Sequence, residues 1–162
     1  MAKGLGWACT ALFLVSCRSV TPGEVDAPSA AAIDSGVRQM ASAIARDVGQ
    51  DGPNAWLRYF VDGPEFFMAN NGSLQFSNFG EAKSFMNGFS AGVAHLELTW
   101  GEIRVDPVAP GTAVIAAPYH EAFTDLKGKT LRYDGFFTGL AIETKSGWRI
   151  RDAHWSSPVA SP

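Results

Sequence analysis

His120, Glu121, Asp134 and His154 are the side chains in the C-terminal half of this chain whose types suit proton chemistry. An imidazole exchanges a proton near neutral pH, and a carboxylate in an apolar setting is pushed toward the same range. Along Trp148 to Trp155, strand alternation places Trp148, Ile150, Asp152, His154 and Ser156 on one face. Its two large apolar members predict that this face looks inward. His154 is then expected inside a pocket or at its rim, either as a general acid or base or hydrogen-bonded across a sheet to hold the last strand. Asp134 shares a face with Phe136, Thr138 and Leu140, and is either a partner to a pocket group or a solvated carboxylate. His120 and Glu121 are consecutive, so only one of them can point inward, and the spacing alone does not say which. If Glu121 points inward with Tyr119, it has the raised pKa that base chemistry of the isomerase kind uses. His95, beside Leu96 and Leu98, reads as structural or exposed.

Other chemistries find less support. His95, His120 and His154 fall on separate segments without a short ligand spacing, so no metal site is expected. A Gly-rich phosphate loop and H-E-x-x-H are missing from the sequence, and no cofactor is expected. The chain has 162 residues and a net charge of −3, with 13 Lys plus Arg against 16 Asp plus Glu. That length suits one domain, and the balance offers no basic field to attract nucleic acid. With 46% hydrophobic and 12% aromatic residues, the chain can bury a core.

The N-terminus reads as an address. Lys3 precedes an apolar run through Leu5, Trp7, Ala8, Ala11, Leu12, Phe13 and Leu14, which at roughly ten apolar residues is too short to span a bilayer. The pattern predicts a signal peptide over residues 1–16. Leu14-Val15-Ser16-Cys17 resembles the lipobox of bacterial lipoproteins, which implies lipidation of Cys17. Arg18 rather than Asp follows, so the expected destination in a diderm is the outer membrane, facing the periplasm. Cys9 would leave with the peptide and Cys17 would be acylated, which leaves the domain without a disulfide or catalytic thiol.

From the cysteine to about Ala32, Ser, Pro, Gly and Ala dominate and read as a flexible tether over residues 17–32, ahead of a domain at 33–158. Val37, Met40, Ala41, Ile44, Ala45 and Val48 recur at helical spacing behind Asp34 or Ser35, with Gly49 as the stop. Pro53 starts a short second helix carrying Trp56, Leu57, Phe60 and Val61. Two short strands flank the turn Asn70-Asn71-Gly72, and a third helix runs from about Glu81 to Phe89. Strand-like segments follow near His95–Val105, Ala113–Leu126, Thr130–Lys145 and Trp148–Trp155, separated by Gly- and Pro-containing turns. Helices first and strands afterwards predict an α+β domain with the helices on one face of an antiparallel sheet.

Asp134-Gly135-Phe136-Phe137-Thr138-Gly139-Leu140, then Gly147-Trp148-Arg149-Ile150, then His154 and Ser156, resemble the C-terminal hairpin of the SnoaL-like, nuclear transport factor 2-like superfamily. The helix from Gly80 to Phe89 and the strand start Thr112-Ala113-Val114 stand where that family has a helix and a central strand. The resemblance covers about residues 33–158. It implies a strongly curved sheet wrapped on helices into a cone with an interior pocket, and often a homodimer through the outer face of the sheet. The superfamily includes isomerases, cyclases, dehydratases and non-catalytic members, so fold alone does not assign a reaction. On this reading His154, Asp134 and Glu121 are the candidate acid-base residues. Tyr59, Phe67, Trp100, Tyr119, Phe136, Thr138 and Trp148 are expected to line a pocket for a small, partly apolar molecule. Such a domain would bind that molecule or a protein partner without catalysis, or would act as an isomerase, cyclase or dehydratase.

Overall fold

Asp26 opens the first regular element. In the computed structural model, which describes residues 25–158, its carboxylate accepts from the Ser29 amide at 2.8 Å and caps α1 (Ala27–Asp51). Pro28 sits in the first turn, where a missing N–H costs no helical hydrogen bond. The helix therefore starts within the stretch expected to be tether, because Pro28 and the alanines after it suit a helix start as well as a linker. Gly49 continues the helix rather than ending it. Gly52, at φ 75°, is the stop, and its amide donates to the Val48 carbonyl. Cys17 and the signal-like segment lie outside the described residues. Among those residues no helix is long and apolar enough to cross a membrane.

Ile33, Val37, Met40, Ala41, Ile44 and Val48 form the buried stripe of α1. After it, a short 3₁₀ helix, Pro53–Arg58, drives Trp56 into the core, where its ring stacks on Phe60 at 5.7 Å. The hairpin β1 (Phe67–Asn70) and β2 (Ser73–Phe76) closes through Asn71 and Gly72, both at positive φ as an Asn-Gly turn requires. Next comes α2 (Phe79–Ser90), capped by Asn78, while the Glu81 carboxylate accepts from the Ser77 amide.

The remaining strands are β3 (Val93–Trp100), β4 (Arg104–Ala109), β5 (Thr112–Asp125), β6 (Thr130–Thr144) and β7 (Gly147–Ser156). The segment expected as one strand over His95–Val105 is thus two. Both pair with β5, β4 along its first half and β3 along its second. Pro118 stands at the changeover, where it has no amide to offer a partner, and its carbonyl accepts from the Gly101 amide at 2.8 Å. The sheet order is β2-β1-β7-β6-β5-β3, with β4 beside β5. Every pairing is antiparallel except β1 with β7, so the curved sheet is mixed rather than wholly antiparallel. The helices cover its concave face. The core forms there, with Phe66, Leu96, Ile115, Phe137 and Ile150 at 2% exposure or less. Each such side chain contributes about 2 kcal/mol of transfer free energy. This is the α+β architecture expected from the sequence.

Candidate ligand pocket

Register decides which polar groups face the helices. Tyr119 pairs with Trp100 and Gly135, and Glu121 pairs with Leu98 and Tyr133; these residues share the concave face with buried Leu96, Ile115 and Phe137. His120, between them, points to the convex face. The choice that the spacing left open is settled: Glu121 faces the interior. It borders a cavity of about 320 Å³ between α2, the β1–β2 hairpin and the concave sheet. Phe85, Phe89, Phe123, Trp56, Phe60 and Trp155 supply most of its apolar wall. Asn70, Asn71, Gln75, Tyr119, Tyr133 and Ser157 are its other polar contributors.

Most of those polar groups already have partners. Asn70 donates to Gln75 Oε1 at 3.1 Å, and the Tyr119 and Ser157 hydroxyls are hydrogen-bonded at 2.9 Å. The Ser157 amide donates to Asn71 Oδ1 at 2.8 Å, which ties the end of β7 to the hairpin turn at the cavity. Tyr119 lies over Gly135, where any Cβ would overlap both the tyrosine ring and the Ser156 carbonyl, so glycine is required there by close approach. Burial raises the Tyr119 phenol pKa above its ordinary value.

Glu121 differs from these groups. No hydrogen bond or ion pair holds its carboxylate among the described residues, and no Lys, Arg or His lines the cavity. Burial pushes its pKa up to about 7. A carboxyl poised there can give or take a proton at neutral pH, or hold a buried positive charge. No group of three metal-ligating side chains occurs among the described residues.

Other expected site residues stand elsewhere. His154 is exposed on the convex face, opposed to Thr138. The reason is a bulge in β7: Ala141 pairs with Ile150 but Leu140 pairs with Asp152, which leaves Arg151 as an extra residue. Trp148 and Ile150 point inward as alternation predicts, and beyond the bulge the phase reverses. Ala153 and Trp155 then turn inward, while Asp152, His154 and Ser156 turn outward. Asp134 is also on the convex face, 2.7 Å from His120 Nδ1, with both side chains largely in solvent. Phe136 and Thr138 share that face, and so does Phe67, which opposes Asp152; buried Phe66 and Met68 flank Phe67 instead. Of the remaining expected lining residues, Tyr59 donates its hydroxyl to Asp47 at 2.6 Å, and Trp100 donates Nε1 to the Ala41 carbonyl at 2.9 Å. Trp148 packs on Gly36 of α1, where a Cβ would collide with the indole. All three brace α1 rather than line the cavity.

The structure therefore brings Tyr119 and Glu121 to the cavity and leaves His154, Asp134, Tyr59, Phe67, Trp100, Phe136, Thr138 and Trp148 away from it. Sequence reasoning missed Asn70, Gln75, Phe123, Tyr133, Trp155 and Ser157. Phe123 had a signal, since it alternates with Tyr119 and Glu121 on one strand. Trp155 had none, because its direction depends on the bulge.

No protein-family model and no curated protein matches the chain. Solved structures do. A nuclear transport factor 2-like superfamily protein from Salmonella enterica serovar Typhimurium superposes with a TM-score of 0.68 at 14% identity, covering 82% of this chain and 95% of that one. A provisional dehydratase of the nuclear transport factor 2-like family from Streptomyces avermitilis gives 0.66 at 13% identity, covering 80% and 99%. A hexachlorocyclohexane dehydrochlorinase gives 0.64 at 8% identity, covering 80% and 87%. At such identities the likeness speaks for fold and not for reaction. The chain has the curved α+β cone fold of the nuclear transport factor 2-like proteins.

Proposed function

We propose that this protein binds a small, flat, largely apolar molecule in the cone cavity, with Glu121 as the group that contacts its polar part. The observation that carries the reading is one ionisable carboxylate, without a partner among the described residues, inside an aromatic cavity of about 320 Å³. That combination matches the ordinary anatomy of a ligand site, apolar walls with few convergent polar groups. Native mass spectrometry of the purified chain tests it. A stoichiometric extra mass lost on denaturation supports the reading. An empty protein that also fails to bind any member of a panel of aromatic and aliphatic compounds contradicts it.

A second reading is proton-transfer catalysis of the isomerase or dehydratase kind, favoured by the Glu121 pKa of about 7. Similar folds among dehydratases and a dehydrochlorinase are compatible with it. The acid-base role passes on this reading to Glu121, with Tyr119 and Tyr133 nearby, since His154 and Asp134 lie on the other face. Glu121→Gln abolishing turnover of an identified substrate, with His154→Gln leaving it intact, is the expected outcome.

The lipobox-like segment supports a membrane-anchored protein of the cell envelope, at the outer membrane facing the periplasm in a diderm. Cys17→Ala is expected to release it from the membrane fraction; retention there contradicts the anchor. We also propose a homodimer through the convex face, where Phe67, Val114 and Phe136 are exposed and Asp152 Oδ1 has no partner among the described residues. Light scattering that shows only monomer argues against it.

A further inference from the structure

We propose that the Glu121 cavity selects organic ammonium cations, small molecules that carry a positive nitrogen on an aromatic or aliphatic body. The inference rests on the reading of the cavity as a small-molecule site and names its ligand class. Its first support is the wall. Phe123 and Tyr133 stack at 5.3 Å, and Phe89 meets Phe123 edge-on at 5.5 Å, which builds a continuous aromatic surface beside Glu121. Trp56 and Trp155 add indole rings at 5.5 Å from each other. Ring faces attract cations, and most strongly where water is excluded.

The second support is charge. Glu121 is the only Asp or Glu that lines the cavity among the described residues, and no basic side chain lines it. A neutral ligand leaves this carboxylate without an ionic partner, and an anionic ligand is repelled by it. A cation supplies the missing charge, and the Coulomb attraction between the two is larger in the cavity than at the surface. The third support is the state of the neighbouring polar groups. Asn70 Nδ2 with Gln75 Oε1, and the Tyr119 hydroxyl with Ser157, are already paired, so Glu121 is the one acidic acceptor of the lining toward which an ammonium group would turn. On the convex face Asp134 already has His120 and Asp152 already has Arg151.

Titration calorimetry on the full chain with three probes tests the proposal: benzyltrimethylammonium, its uncharged carbon isostere neopentylbenzene, and phenylacetate. The quaternary cation has no acidic N–H, so it reads charge rather than proton transfer. At pH 8 the cation is expected to bind at least about tenfold more tightly than the isostere, and phenylacetate more weakly than either. Glu121→Gln is expected to remove the cation preference and leave isostere affinity within about twofold. Wild type at pH 5 gives the same contrast without a substitution, since protonated Glu121 holds no charge. Tyr119 and Tyr133 are the other titratable groups lining the cavity, and burial raises the Tyr119 phenol pKa further above that range; His120 and Arg132 lie on the opposite face. If the isostere binds as tightly as the cation, the ammonium inference falls while the small-molecule site stands. If none of the probes binds, the site reading falls and takes this inference with it.

Discussion

Two neighbours on one strand show how differently the faces of this sheet treat the same chemistry. His120 points outward and is hydrogen-bonded to Asp134 in solvent, where an exposed pair is worth little. Glu121 points inward, without a partner among the described residues, into a cavity walled by aromatic rings, and burial moves its pKa to about 7. The sequence offers His154, Asp134 and Glu121 together as acid-base candidates. The structure ranks the lone glutamate higher, because desolvation rather than residue type gives a carboxyl unusual properties.

The largest expected contrast between the faces is in packing. Phe137→Ala removes a ring that is 1% exposed and is expected to cost about 3–5 kcal/mol, while Phe136→Ala next to it, at 46% exposure, is expected to stay within about 1 kcal/mol. Urea denaturation of both variants reads the difference, and equal costs would break the assignment of faces.

Charge gives the next contrast. In the folded state Glu121 binds its proton more tightly than in the unfolded chain, so between pH 4.5 and about 7 the native state holds more protons and stability falls as pH rises. The contribution is complete below about 4.5 and lost through about 7, and corresponds to about 3 kcal/mol at 1.36 kcal/mol per pH unit. Glu121→Gln is therefore expected to flatten the stability curve over that range and to stabilise the protein by about 1–3 kcal/mol at pH 8. Of similar size, Gly135→Ala is expected to destabilise by about 1–3 kcal/mol, since its methyl group meets the Tyr119 ring and the Ser156 carbonyl. The same change is expected to weaken ligand binding by displacing Tyr119, which calorimetry with a known ligand reads. The smallest effect belongs to the convex face: a double-mutant cycle on His120 and Asp134 is expected to give a coupling below about 1 kcal/mol.

Much of this fold is legible in the residues. The α1 stripe, the Asn71-Gly72 turn and the strand order from β5 to β7 follow from periodicity and turn chemistry that act locally. The helix start at Ala27 was obscured because proline and alanine serve linkers and helix N-termini alike. The parallel pairing of β1 with β7 was not legible, since it joins segments far apart in sequence. The site was less legible than the fold. One extra residue at Arg151 reverses the direction of every later side chain in β7, so strict alternation placed His154 inside and Trp155 outside when the opposite holds. Nothing in Trp148–Trp155 announces that bulge. Tyr119 and Glu121 emerged because β5 keeps regular alternation past them.

The account depends most on the state of the Glu121 carboxyl. Carbon-13 NMR titration of the glutamate side chains, with Glu121 assigned through Glu121→Gln, measures it directly. A midpoint near 7 is the result expected from a desolvated, unpartnered carboxyl facing the cavity. A midpoint near the ordinary glutamate value of about 4.3 would mean a solvated or paired group, and would contradict the assignment of the interior site to Glu121.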